Sequence, residues 1–167
     1  FKGKKILAII PARGGSKRIK NKNIVKFKGK PMIVQTLDVA KKCKYIDKII
    51  VSSESKKILN VCKKKGINTP FLRQRAFDDY SPVQDATIAA IEQTEEYYGK
   101  FDVVIQLMAN CPLRKLTTLN DSIEKFFKNK KNSQISFFEY GFANPWWAHK
   151  IINNKIIPKD KKNIFRR

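Results

Sequence analysis

Apolar residues arrive along this chain in two rhythms, short unbroken blocks and longer stretches where they recur every three or four positions. Lys5-Ile-Leu-Ala-Ile-Ile10 is a block, the pattern of a strand buried on both faces. Pro31 then opens a helical stretch that sets Met32, Ile33, Thr36, Leu37 and Ala40 on one side. Residues 46–52 predict a second strand. Ser53 or Ser55 is placed to cap the helix that follows, and Gly66 to end it. A helix over 83–98 leads into a third strand over 102–108. Thr117 or Thr118 starts a further helix presenting Ile123, Phe126 and Phe127, and residues 134–140 predict another strand. Ile151 to Ile157 predicts a hairpin turning at Asn153-Asn154.

Strands that alternate with helices predict an α/β fold whose mostly parallel sheet is covered on both faces. Ligands in such folds bind beyond the carboxyl ends of the strands. Attention therefore goes to the loop after the first strand. The chain has 167 residues, enough for one such domain. It begins at Phe1 and stops at Arg166-Arg167 with no terminating element, so the expectation is a single domain over 1–167 truncated at its C-terminus. No run approaches the length of a membrane span, and no secretory leader is recognisable. Cys43, Cys62 and Cys111 show no CxxC spacing and read as reduced thiols of a cytoplasmic protein.

The net charge of +22 raises nucleic acid as a partner. Of the 36 basic residues, however, 29 are Lys spread over the whole chain, without aromatic interleaving or a nucleic-acid motif. The charge reads as a solvated surface that also favours anionic substrates.

The loop after the first strand is Pro11-Ala-Arg-Gly-Gly-Ser-Lys-Arg-Ile-Lys-Asn-Lys-Asn23. Gly14 and Gly15 let main-chain N–H groups come close to oxygens, and Ser16 adds a hydroxyl donor. Arg13 can fork onto phosphate oxygens, and Lys17 and Lys22 supply point charges. Such a cradle suits a polyphosphate: it draws charge from a phosphorus under attack and steadies departing pyrophosphate. The loop has neither the GxxxxGK[ST] nor the GxGxxG pattern. Taken without its place after a buried strand, it would read equally as a flexible basic turn.

Ile10 to Asn23, followed by Gly29-Lys-Pro-Met32, closely resembles the N-terminal signature of the acylneuraminate cytidylyltransferases, the CMP-sialic acid synthetases and relatives acting on other nine-carbon keto-sugar acids (nonulosonic acids). The resemblance continues through Ile49-Ile-Val-Ser-Ser53, Pro70-Phe-Leu-Arg73 and Pro112-Leu-Arg114. It implies a Rossmann-like three-layer sandwich with a small β-hairpin arm. It also implies attack of a sugar's anomeric hydroxyl on the α-phosphate of CTP with Mg²⁺, giving CMP-sugar and pyrophosphate. By matching positions it implies that Arg13 and Lys22 are catalytic. Ala12, Gly14, Ser16, Lys17 and Asn23 join them around the nucleotide, Arg73 lies at its cytosine or ribose end, and Ser81 and Asp85 belong to a second nucleotide-side loop. A homodimer is implied, with 142–158 as a dimerisation or sugar-contact arm.

The chain departs from that pattern in three places. Met108 stands where the family often has a sugar-holding Gln, beside Asn110, with Gln106 two residues earlier; Met108 either meets a different sugar substituent or fills a gap near the sheet end. Asn144-Pro-Trp-Trp147 brings two tryptophans where a basic residue is usual, suited to a sugar face (Trp147) or a subunit interface. The family's acidic metal ligands lie in a downstream segment absent from this sequence. That leaves Asp85 and Asp102 as the nearest carboxylates, the metal ligands unknown and His149 without a role. Two alternatives remain open: a nucleotidyltransferase for another sugar such as Kdo, and a non-catalytic basic module that binds nucleotide or RNA.

Overall fold

The computed structural model describes residues 1–16, 19–78, 80–129, 132–137, 149–153 and 155–158. They divide into two compact units, Phe1–Lys130 and Lys131–Arg167. In the first, β1 (Ile6–Pro11) is followed by a 3₁₀ turn (Lys22–Ile24), a short antiparallel pair β2 (Lys26–Phe27) and β3 (Lys30–Pro31), and helix α1 (Met32–Lys42). Then come β4 (Lys48–Ser52), α2 (Lys56–Lys63), α3 (Val83–Tyr98), β5 (Val103–Gln106) and α4 (Leu116–Asn129).

The sheet is wholly parallel, in the order β4-β1-β5. Ile9 of the central strand stands opposite Ile50 on one side and Gln106 on the other. Ile6 to Ile10 are fully excluded from water. Because side chains alternate along a strand, β1 feeds two cores. Ile6, Ala8 and Ile10 pack with Ile33, Val34 and Leu37 of α1, Ile58 of α2 and Ile123 of α4. Leu7 and Ile9 pack with Ile50, Phe71 and Ala90 of α3. These are the three layers expected for this fold class.

The boundaries refine the sequence reading. The second strand starts at Lys48 rather than at residue 46, because Asp47 serves the sheet edge instead: its N–H donates to the Ile6 carbonyl, and its carboxylate accepts the Ile6 N–H at 2.7 Å. The third strand starts at Val103, with Asp102 accepting from the Lys5 N–H and from Lys4 Nζ, both at 2.9 Å. Ser55 stands at the N-cap of α2, but its hydroxyl makes no capping bond. Gly66, at φ +77°, closes the C-terminal end of that helix: its N–H reaches the Lys63 carbonyl, and the Ile67 N–H reaches that of Cys62.

In the second unit, β6 (His149–Ile152) pairs antiparallel with β7 (Lys155–Pro158), and Asn153 takes a left-handed φ of 50° at the turn. Ile151, Ile152 and Ile156 are exposed. The strand expected over 134–140 is not formed in its described part, residues 134–137. Those residues have no partner strand among the described ones, and Ile135 and Phe137 are exposed. Residues 138–140 and the tryptophan segment 144–147 lie outside the described residues. No described helix is long and apolar enough to cross a membrane.

Two measurements check this packing. Ile9→Ala should cost about 2–5 kcal/mol in a urea melt, since it opens a cavity at a fully buried position of the central strand. Burial also pushes the Cys62 thiol up to about 12, Cys43 is buried as well, and Cys111 is exposed. A thiol reagent should therefore titrate Cys111 rapidly in the folded protein and reach the other two only on unfolding.

Candidate active site

The carboxyl end of β1 and the loop after β5 open into a cleft of about 240 Å³. The loop after β1 forms one wall. It leaves the sheet late: the Ala12 N–H still donates to the Ser52 carbonyl at 2.9 Å, one step past the end of the strand. It then folds on itself, with the Ser16 N–H on the Gly14 carbonyl and the side-chain amide of buried Asn23 donating to the Arg13 carbonyl, both at 2.9 Å. Arg13, Ser16, Lys22 and Asn23 all line the cleft.

The second wall is the segment before α3. Arg13 Nη1 donates to the Asp78 carbonyl at 2.9 Å, which ties the two loops together. The Asp78 carboxylate accepts the N–H groups of Tyr80 and Ser81 at 2.7 and 2.8 Å and the Ser81 hydroxyl at 2.6 Å. These bonds, the Ser81 hydroxyl first, hold its pKa down to about 2 from an ordinary 3.8. Ala76 lines the same wall with a left-handed φ of 55°, an uncommon conformation for alanine.

Arg73 forms the floor. It is only 3% exposed, and burial lowers its pKa, an effect that Glu54 opposes and Arg13 reinforces. Its Nη1 donates to the Ser52 carbonyl at 3.2 Å, so that one oxygen serves both the sheet and the guanidinium. Nη2 meets Glu54 Oε2 at 3.2 Å, and the buried Nε has no hydrogen-bond partner among the described residues. A buried guanidinium keeps its charge and turns it towards whatever fills the cleft.

Met108 and Asn110, from the loop after β5, complete the lining. Gln106 lies outside it: its carboxamide accepts the Thr87 hydroxyl at 2.7 Å and donates to Met108 Sδ at 3.5 Å. Most of the site residues expected from sequence therefore converge on one cleft. Ala12 belongs to the core beneath it, and Gly14 does not line it, its N–H being taken by Glu54 at 2.6 Å. Asp85 is exposed in the first turn of α3 and does not line the cleft. Lys17 and Trp147 lie outside the described residues. Glu54 and Asp78 were not anticipated, although the place of Glu54 just past a buried strand was a signal that could have found it.

The family resemblance implies a divalent metal. Among the described residues no group of three or more His, Cys, Asp or Glu side chains could hold one. The cleft offers one carboxylate among the described residues, Asp78, already committed to three donors. Asp102, a candidate from sequence, precedes β5 and so sits at the opposite, amino end of the sheet, bound to Lys4 and Lys5. The described residues thus do not make a resident magnesium site.

The depressed Asp78 pKa sets a pH window. A carboxyl below its unfolded value steadies the turn above about pH 4 and loses that effect as pH falls through about 2. Hydrogen exchange of the Tyr80 and Ser81 amides, corrected for intrinsic rates, should accelerate between pH 4 and pH 2, and Asp78→Asn should show the acceleration already at neutral pH.

Residues 7–152 match the family model described as Cytidylyltransferase. The chain is similar to a pseudaminic acid cytidylyltransferase of Campylobacter jejuni (strain 81-176), 36% identical over 98% of this chain and 71% of that protein. It also resembles a CMP-N,N'-diacetyllegionaminic acid synthase of Legionella pneumophila, 36% identical over 72% of this chain and 52% of the relative. Among solved structures, the fold resembles a CMP:2-keto-3-deoxy-manno-octonic acid synthetase complexed with CTP, with a TM-score of 0.64 and 19% identity over 75% of this chain and 48% of that one. With its parallel sheet, its basic loop at the strand ends and a family match over most of its length, the chain belongs to the cytidylyltransferase family, enzymes of the nucleotidyltransferase class.

Proposed function

We propose that this chain carries the nucleotide site of an enzyme that transfers CMP from CTP to the anomeric hydroxyl of a nine-carbon keto-sugar acid. The observation that carries the reading is the convergence of Arg13, Ser16, Lys22, Asn23 and Arg73 on one cleft at the carboxyl ends of a parallel sheet. Several cations around so small a space favour a polyanion. Relatives named for pseudaminic and diacetyllegionaminic acids support a sugar acid of this class as acceptor.

In the reaction the anomeric oxygen forms a bond to the α-phosphorus while the bond from that phosphorus to the bridging oxygen breaks. Pyrophosphate leaves with the electron pair, and the hydroxyl proton is released. Arg13 and Lys22 are the residues we assign to the charge that builds on the phosphates. Ser16, Asn23 and Ser81 are the cleft residues we assign to the nucleotide, with Ala12, Gly14 and Lys17 of the loop after β1 assigned on the family resemblance. Arg73 presents its free Nε from below, and we assign Met108 and Asn110 to sugar binding, and Trp147 to the same role on the family resemblance alone. Asp85, exposed in the first turn of α3, we keep as the outermost residue of the second nucleotide-side loop. A divalent cation such as Mg²⁺, if brought by the nucleotide, would draw charge from the phosphates; the described residues would supply no carboxylate cluster to hold it. The exposed Ile151, Ile152 and Ile156 of the hairpin suit a subunit interface, and we assign the dimer contact to that arm. The enzyme works in the cytoplasm, alongside its nucleotide.

Calorimetric titration of the chain with CTP, ATP, GTP and UTP, with and without Mg²⁺, should show selective binding of CTP. Equal binding of all four, with steep salt dependence towards RNA, would instead mark a basic binding module. In the full-length enzyme, Arg13→Ala should lower turnover by about 10²–10³-fold; near-normal turnover would remove Arg13 from the mechanism.

A further inference from the structure

The loop after β1 and Arg73 reach the cleft from different parts of the chain, and one side chain outside the cleft touches both. Glu54 follows β4 by two residues, is partly buried and does not line the cleft. Its Oε1 accepts the Gly14 N–H at 2.6 Å, and its Oε2 meets Arg73 Nη2 at 3.2 Å. We infer that Glu54 is a positioning residue for nucleotide binding, holding the main chain of the basic loop and the buried guanidinium at one fixed spacing before nucleotide arrives. The inference rests on reading the cleft as the CTP site.

Three observations converge on it. Arg73 needs a counter-charge, because an uncompensated charge buried to this degree is strongly destabilising. Among the described residues, Glu54 is its ion-pair partner. The loop approaches Glu54 so closely that a Cβ on residue 14 would lie 3.0 Å from Ser55 Cβ and 3.3 Å from Glu54 Oε1, so glycine is what lets the carboxylate reach the amide. Glu54 is itself held in place: the Ser55 N–H donates to the hydroxyl of fully buried Ser53 at 3.0 Å, fixing the turn that carries it.

The position of Glu54 behind the lining sets the sign of its effect. A carboxylate inside the cleft would compete with phosphate, and its removal would tighten binding. A carboxylate behind the cleft orders the donors that phosphate meets, and its removal weakens binding.

The test is CTP calorimetry on wild type, Glu54→Gln and Glu54→Ala, each first checked for a cooperative thermal melt. Glu54→Gln keeps the shape and one acceptor, so it guards against a variant that simply fails to fold. The dissociation constant should rise about tenfold in Glu54→Ala and by a smaller factor in Glu54→Gln. Combined with Arg73→Ala, the Glu54→Gln effect should shrink, because part of it acts through Arg73. A purely structural Glu54 would lower the melting temperature and leave the affinity of the folded protein unchanged. Wild type that binds CTP while Glu54→Gln binds it equally well or more tightly would overturn the inference alone. Wild type that fails to bind CTP would overturn both the inference and the function proposed for the cleft.

Discussion

β1 is closed off from water over its whole apolar length, and this one constraint orders the rest of the molecule. A strand in that position must satisfy its main-chain groups through its two neighbours, since water cannot reach them. It must also cover both of its faces, which demands helices on each side of the sheet. The chain can then turn and expose polar groups only where the ladder ends. All three strands point the same way, so their carboxyl ends fall together; the loops after β1 and β5 share one cleft with the segment before α3, and the turn after β4 supports it from behind.

The charge of the protein takes on meaning against that scaffold. Most of its lysines are spread over the surface, and the high net charge by itself says little about the partner. Arg73 is different, because it is buried, paired and part of the cleft wall. A cation fixed under a low-dielectric floor acts on a bound anion far more strongly than a solvated one. Arg13, at the rim, is held by the opposite loop through the Asp78 carbonyl. The two arginines of the cleft therefore draw on different supports, one on the sheet and one on a loop-to-loop contact.

Much of this was legible in the sequence, and what escaped did so for physical reasons. The apolar run of β1 and the 83–98 helix could be read directly because each displays its own periodicity. The basic loop declared itself by composition and by its place after a strand. Glu54 stayed hidden because its partner is an amide 40 residues away, which no spacing rule announces, and Asp78 because the contact that brings it to the cleft is made by its carbonyl with Arg13, 65 residues away. Asp102 was mis-sited for a simpler reason: a residue that precedes a strand belongs to the far end of a parallel sheet. Of the strand expected over 134–140, the described residues 134–137 have no partner strand among the described residues.

The doubly used carbonyl of Ser52 has a consequence for affinity. One lone pair takes the Ala12 amide that extends the sheet, and another takes the Arg73 guanidinium. The arginine is thereby as stiff as the sheet it hangs from. A long cationic side chain ordered only on binding would cost about 0.5–1.5 kcal/mol of rotational freedom. Here that cost is met when the chain folds, and an arriving anion finds the cation already at rest.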